Sequence, residues 1–496
     1  MTTYDPKVLN QVENILNIGI SLSAERDHNR LLERILTEAR KITRADAGTL
    51  YLREKDRLIF SIIQNESLNI FQGGSGEPID LPPVKIEKTS VSGYTAITRE
   101  IVNIPDVYQA QGFDFSGPKK YDSLTGYRTT SMLVLPLENH RQEVIGVLQL
   151  INACNELGKT IPFKPHLEKV ISSLASQAAI SMTKTQMMAE IENLFQSFVM
   201  VMATAIDART PYNANHTRRV ARLSLELSQC INKITTGPLA EEEFDENRTR
   251  QLVMAAWLHD IGKVAIPLSV MNKATRLEER MDIIQLRLDY IKAIDPNRGE
   301  NVEEARELII RANDPSFFVD DETLAHLQEI AELTYTDGQG REKRWLTKEE
   351  LEALSVSKGT LTEEERKIME DHVEIADRIL QKIPFTSNLK DVPSWASLHH
   401  EMLNGNGYPQ QLSGAEIPLE GRILALADIF DALTASDRPY KAALSVEKSL
   451  EILSFMIEDN MLDKDLYQVF LDCKVWKCTD REISEDSAFK GLFSSD

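Results

Sequence analysis

The feature that most constrains this fold is a change of period along the chain. Up to about residue 180, strand-like and helix-like stretches alternate; beyond it, apolar residues recur almost wholly at helical spacing. LLERILTEARKIT (31–43) has helical spacing, whereas AGTLYLR (47–53) and RLIFSII (57–63) read as paired strands. SVSGYTAITRE (90–100) reads as a short helix entered through a Ser-rich cap, and EIVNIPD (100–106) as a strand. SMLVLPL (131–137) and EVIGVLQLI (143–151) are β-rich runs on either side of a polar turn. A long helix begins near Pro165 and runs on through VISSLASQAAISM. The expectation is a multidomain chain: an α+β domain with an antiparallel sheet, then an all-α domain. A length of 496 residues also exceeds one ordinary core. MMAEIENLFQSFVMVMATAI (187–206) is apolar on one side and reads in two ways. It is a core helix, or it joins the domains and pairs with its copy in a homodimer as a coiled coil.

Composition narrows the function. A net charge of −21 argues against a nucleic-acid polymer as partner, since such binding needs a basic footprint. The longest apolar runs, such as VIGVLQLI (144–151), are far short of a membrane span, and MTTYDPKVLN lacks the layout of a signal peptide. No membrane partner and a cytoplasmic location are therefore expected. The four cysteines form no CxxC pair and read as reduced thiols. An anionic substrate would need local positive charge, from metals or a few placed Lys and Arg.

The histidines supply a candidate. His28, His140, His166 and His326 stand alone in polar surroundings. His216, His259, His372, His399 and His400 all fall in the helical half, most of them beside carboxylates or glycine turns. His259-Asp260 ends an apolar helix near Gly262, and Asp260 could bridge two ions. Asp428 interrupts the strongly apolar ILALADIFDAL, where an unpaired charge is costly and wants a metal or a cation. Asp431, three residues on, could share that face. HHEMLNGNGYP (399–409) adds two histidines, a glutamate and a turn rich in glycine and asparagine.

Two resemblances follow. GYTAITREIVNIPDV (93–107), GYRTTSMLVLPL (126–137) and VIGVLQLIN (144–152) resemble a GAF domain, a small-ligand sensor module. The resemblance covers roughly residues 20–182, gives a GAF-like sensor domain at 1–182, and implies an unidentified small-molecule ligand or a purely dimerising role. Cyclic-nucleotide-binding GAF domains carry an Asn-Lys pair where this chain has Asn152-Ala153, which puts that ligand class in doubt. A linking helix, 183–206, comes next.

The order His216, His259-Asp260, His372, His399-His400, Gly407-Tyr408-Pro409, Asp428 resembles the HD-GYP family, a metal-dependent branch of the HD phosphohydrolases. RVA (219–221), HDIGKVAIP (259–267), LTEEERKIMEDH (361–372) and ALADIFDALTASDRPYK (425–441) extend the match, giving a domain at 207–480 and a tail at 481–496. The resemblance implies hydrolysis of the cyclic dinucleotide c-di-GMP, or a relative of it, to linear pGpG or GMP. It implies two divalent ions, iron or manganese, held by His216, His259, Asp260, His372, His399, His400 and Asp428. Lys263 would face the scissile phosphate and share the catalytic role with Asp260. Gly407, Tyr408, Pro409, Arg438 and Lys441 would lie near the substrate, and Glu401 would support the two histidines.

Three departures stand out. Members with a third ion place a Glu four residues before the first His, where this chain has Tyr212, so two ions are expected. Asn404 replaces the usual Asp before the glycine of the GYP turn. An insertion at about 275–357 separates two ligand-bearing segments. It includes RLEERMDIIQLRLDYIKAI (276–294) and FFVDDETLAHLQEIAEL (317–333) as helices and YTDGQGREKRW (335–345) as a hairpin-like turn. It reads either as a peripheral helical excursion or as a lid or signal-receiving surface. The overall expectation is a phosphodiesterase regulated by its sensor domain. The competing reading is a catalytically weak receptor that binds the dinucleotide and signals through protein partners.

Overall fold

A computed structural model describes residues 17–22, 24–25, 27–209, 215–435 and 443–478. Tyr212, Arg438, Lys441 and the tail from 481 lie outside the described residues. The chain divides into two units, one up to Leu194 and one from Phe195.

In the first unit, helix α1 (His28–Thr43) starts where the Asp27 side chain accepts a hydrogen bond from the Arg30 amide. Its Leu31, Leu32, Ile35, Leu36 and Ala39 fall at helical spacing and are buried. The strands are β1 (Ala45–Glu54), β2 (Arg57–Asn65), β3 (Ile70–Gln72), β4 (Val84–Lys85), β5 (Val102–Ile104), β6 (Met132–Glu138), β7 (Val144–Cys154) and β8 (Thr160–Ile161). They form one sheet with the central order β3-β2-β1-β7-β6-β5, and β1 pairs antiparallel with both β2 and β7. Helix α2 (Val91–Thr98) opens on the Ser90 cap, and α3 (Ser116–Thr125) precedes β6.

The strand pattern explains why both faces of the sheet are covered. Side chains alternate along a strand, so Leu133, Leu135, Leu148 and Leu150 join α1 and Ile171, Leu174 and Ala178 in one core. Their neighbours Met132, Val134 and Val147 join Tyr51, Val91, Ala96 and Phe115 in a second core on the opposite face. The expected α+β unit with an antiparallel sheet is what forms.

Helix α4 runs over Pro165–Asp207 without a break. The second unit then consists mostly of helices: α5 (His216–Ile231), α6 (Glu246–Leu258), α7 (Leu268–Met271), α8 (Arg280–Ile294), α9 (Gly299–Asn313), α10 (Asp321–Glu332), α11 (Lys348–Leu354), α12 (Glu363–Leu380), α13 (Val392–Ala396), α14 (Leu419–Thr434), α15 (Val446–Glu458) and α16 (Lys464–Asp472). A two-stranded hairpin, β9 (Thr334–Thr336) with β10 (Glu342–Arg344), interrupts them. Val199, Ala203 and Ile206 of α4 pack with Val220, Leu227, Leu252, Ala256, Leu380, Leu424 and Phe470 in one large core. Within it Cys230 is buried, and burial pushes its thiol up to about 12, away from ready oxidation or metal binding at neutral pH.

The insertion has a core of its own. Ile284, Leu288, Val302, Ile309, Leu327, Trp345 and Leu354 bury one another. Arg276 closes it: fully buried, its guanidinium donates to the carbonyls of Ala312, Asp314 and Phe317 at 2.5, 2.7 and 2.8 Å. One side chain thereby ties the start of the insertion to the loop that follows α9. Lys273, just before it, pairs with Glu365 of α12 at 2.6 Å.

Arg276→Ala would leave those carbonyls buried without a donor, a loss of about 3 kcal/mol. The expected result is faster amide exchange across residues 280–354 with exchange in the β1–β7 sheet unchanged. Unaltered exchange in the insertion would contradict this account.

Candidate metal centre

Four helical segments deliver the site. His216 is the first residue of α5, and His259 caps the C-terminus of α6. Asp260 follows and leads into the short 3₁₀ turn Ile261–Ala265. His372 lies within α12, and Asp428 and Asp431 lie on α14. His399 and His400 follow α13 in a turn rather than closing a longer helix, because α13 ends at Ala396.

Gly262 allows the turn to meet α12. A Cβ there would come within 1.8 Å of the His372 carbonyl oxygen and 2.7 Å of the Ala376 amide nitrogen, so only glycine permits this approach. The contact puts His372 Nε2 3.6 Å from Asp260 Oδ1.

Backbone carbonyls fix most of the ring orientations. His259 Nδ1 lies 2.7 Å from Ala256 O, His372 Nδ1 2.6 Å from Met369 O, and His399 Nδ1 2.8 Å from Ala396 O. A carbonyl oxygen only accepts, so each Nδ1 carries the hydrogen and each Nε2 presents a lone pair inward. His372 Nε2 and His399 Nε2 stand 3.4 Å apart. Among the described residues, His259 Nε2 is buried with no hydrogen-bond partner, its nearest carboxylate oxygen being Asp260 Oδ2 at 3.4 Å. Lone pairs held this close inside a protein call for a cation between them.

The donors sort into two sets. His216, His259 and Asp260 form one, and His372, His399 and His400 the other. Asp428 Oδ1 belongs with the first, 3.2 Å from His216 Nε2 and 3.8 Å from His259 Nε2. Asp260 spans both: Oδ2 is 3.5 Å from His216 Nε2 and 3.4 Å from His259 Nε2, while Oδ1 faces His372. The set is imidazole and carboxylate with no thiolate, which suits hard or borderline divalent ions. The residues present therefore fit divalent metal ions.

Charge follows the same division. Burial alone would lower the His216 pKa, but Asp260, Asp428 and Asp431 outweigh it and hold it well above the usual imidazole range. Burial would likewise raise Asp260 and Asp428, yet neighbouring imidazoles keep both carboxylates well below their usual range, with Lys263 also acting on Asp260. On the other side, burial and then neighbouring imidazoles push His399 far down. Burial brings His400 to about 4. On one side the carboxylates and the imidazoles beside them thus favour each other's charged forms, and on the other burial favours neutral imidazoles.

The surroundings refine several sequence expectations. Lys263 Nζ lies 2.6 Å from Asp260 Oδ2. The Glu401 carboxylate accepts from the amides of Gln410 and Leu412 at 2.7 and 2.9 Å, so it shapes the loop. Tyr408 folds back over His400, with the rings stacked at 4.7 Å and 30°. Gly407 makes room for this, since a Cβ there would meet His400 O at 2.6 Å. The Tyr408-Pro409 peptide is cis. Asn404 supports the turn by accepting from the Asn406 amide at 3.1 Å and donating to Asp459 O at 3.2 Å.

Of the four isolated histidines, His140, His166 and His326 are exposed and His28 is half-buried, apart from the cluster. Two residues were not foreseen in their roles. Asp431 Oδ2 is 2.7 Å from His216 Nδ1, and Arg219 Nε is 2.5 Å from Asp431 Oδ1. The available signal was a second carboxylate one turn from Asp428, together with a basic residue one turn from His216. Arg209, just beyond α4, is a third: its guanidinium donates to Lys263 O at 2.9 Å and to Ile266 O at 3.3 Å.

Gly262→Ala should force the turn away from α12 and part Asp260 from His372. The expected outcome is a loss of more than half of the bound manganese by elemental analysis, with helix content by circular dichroism near wild type. Full metal occupancy would contradict the role given to this contact.

The chain matches the GAF domain family over residues 27–182 and the HD domain family over residues 349–466. It is 43% identical over 95 residues to the 3'3'-cGAMP-specific phosphodiesterase 3 of Vibrio cholerae, covering 19% of this chain and 20% of that protein. It is 39% identical over 109 residues to a cyclic di-GMP phosphodiesterase of the same organism, 21% of each chain. It is 39% identical over 103 residues to the cyclic di-GMP phosphodiesterase response regulator RpfG of Xanthomonas campestris, 21% of this chain and 26% of that one. The chain thus spans between 20% and 26% of the length of these curated relatives. His216, His259 and Asp260 precede the matched HD residues and reach the cluster through the fold. The chain carries a GAF domain followed by an HD domain, and the matched HD residues include His372, His399, His400 and Asp428.

Proposed function

We propose that this protein is an HD-GYP phosphodiesterase that hydrolyses cyclic di-GMP, or a related cyclic dinucleotide, to linear pGpG or GMP. The observation that carries this reading is the pair of donor sets joined through Asp260. The names of the relatives agree with it, and because they include both cyclic di-GMP and 3'3'-cGAMP phosphodiesterases, the substrate is kept at the class of cyclic dinucleotides. When bound, two divalent ions, iron or manganese, would supply Lewis-acid stabilisation of the phosphoryl charge and make water nucleophilic at neutral pH.

This chain's own residues have separable tasks. His216, His259, Asp260, His372, His399, His400 and Asp428 hold the ions. Lys263, beside Asp260, is placed to add positive charge where negative charge grows on the phosphoryl oxygens. Tyr408 with Gly407 and Pro409 forms the substrate wall next to His400. Arg438 and Lys441 are proposed to lie near the substrate. The cluster also meets the need for local positive charge in a chain of net charge −21.

Regulation by the GAF domain is part of the proposal, with a small molecule as its ligand. Arg209, next to the end of α4, grips the carbonyls around Lys263 and gives that helix a direct hold on the site. A homodimer is proposed through α4. Ile180, Met187, Leu194 and Val201 recur every seven residues, and Ile191 and Phe198 fall between them. All six are between 44% and 72% exposed, a seam of the kind that pairs helices in a coiled coil.

The test of function is turnover of a panel of cyclic dinucleotides by iron- and manganese-loaded protein, with products separated by chromatography. Linear product is expected, and His259→Ala should lower the rate by at least about 10³-fold, since it removes a metal ligand. Protein that holds metal yet releases no linear product would leave the receptor reading standing instead. For the dimer, sedimentation should give two copies for wild type and one for the double variant Ile191→Glu, Leu194→Glu. A monomeric wild type would refute the seam.

A further inference from the structure

One imidazole in the cluster, His216, is held by a carboxylate where three others are held by backbone carbonyls. His259, His372 and His399 each point Nδ1 at a backbone carbonyl three residues earlier. His216 is the first residue of its helix. Its Nδ1 meets a carboxylate instead, Asp431 Oδ2 at 2.7 Å, across 215 residues of sequence. Asp431 is itself buried and fixed by Arg219, which donates through Nε to Oδ1 at 2.5 Å and through Nη2 to Oδ2 at 3.0 Å.

The difference matters for the metal. A carboxylate accepting from Nδ1 makes the opposite nitrogen a stronger donor than a neutral carbonyl does, and it also fixes the ring plane. The set around His216 contains the carboxylates Asp260 and Asp428, whereas the other set has three imidazoles and only the far oxygen of Asp260. The two sets are therefore unequal in charge, and the His216–Asp431 contact widens the gap.

We infer that Asp431, clamped by Arg219, is a positioning residue that makes the His216–His259–Asp260–Asp428 set the tighter of two unequal metal sites. Arg219 neutralises the charge of Asp431 as a pair, so the brace adds ligand strength to His216 without adding a third uncompensated carboxylate to a buried site. Asp431 does not face the reacting phosphate through this arrangement; it acts through His216. This inference rests on the two-metal reading of the site.

The test is calorimetric titration of Mn²⁺ into full-length, metal-stripped protein, which reads binding without turnover. Wild type should bind two ions in separable phases. Asp431→Asn keeps an acceptor for Nδ1 and removes the charge, so the tight phase should weaken by about 10-fold, and by about 100-fold in Asp431→Ala. The weak phase should stay unchanged in both. Arg219→Gln leaves the carboxylate in place and should weaken the same phase less, which separates a lost brace from a lost fold. Wild type that binds no Mn²⁺ would remove the two-metal reading itself. Wild type with two phases and an Asp431→Asn titration identical to it, or equal weakening of both phases, would overturn the inference while leaving that reading intact.

Discussion

The second unit is organised around one electrostatic demand. Seven imidazole and carboxylate groups converge in a mostly buried space, and backbone carbonyls aim several imidazole lone pairs inward. Such an arrangement is costly unless positive charge occupies the middle. Asp260 is the hinge of it, because its two oxygens address different sets of histidines. The packing of α12 against the turn at Gly262 sets how far apart those sets lie. The large core beneath, built from α5, α6, α12 and α14, holds the ligand-bearing segments in register.

Much of this was legible in the sequence, for identifiable reasons. A carboxylate inside ILALADIFDAL has to be compensated, and the order of the histidines carried the resemblance to the HD-GYP family. Strands β1, β2, β6 and β7 of the first unit were legible because their apolar residues are buried in the two cores, whereas β3, β4 and β8, of two or three residues, were not foreseen. What stayed hidden depends on tertiary neighbours. The pairing of His216 with Asp431 joins residues 215 apart. Glu401 sits next to the histidines in sequence, but its side chain turns to the loop amides of Gln410 and Leu412. Helix α9 was not foreseen, since Val302, Ala305, Ile309 and Ala312 find their partners only inside the core of the insertion. Arg276 resembles any surface arginine until the carbonyls of Ala312 to Phe317 fold around it.

The root of the insertion at Lys273 and the end of α4 both contact elements that carry residues of the cluster. Lys273 at the root of the insertion pairs with Glu365, near the start of the helix that carries His372. Arg209 at the end of α4 holds the carbonyl of Lys263, whose ammonium is bonded to Asp260. Both contacts are ion pairs or charge-assisted hydrogen bonds, which hold geometry more firmly than apolar packing does. Small displacements of either element would therefore be felt at Asp260 and His372. The turn at Gly407–Pro409 adds a third link, since Tyr408 stacks on His400 of the cluster.

The central claim is that one carboxylate joins two metal sites. It is tested most directly by anomalous diffraction from crystals of the manganese-loaded protein. Two anomalous peaks should appear on either side of Asp260, one against His216, His259 and Asp428 and one against His372, His399 and His400. A single peak, or peaks away from Asp260, would contradict the account.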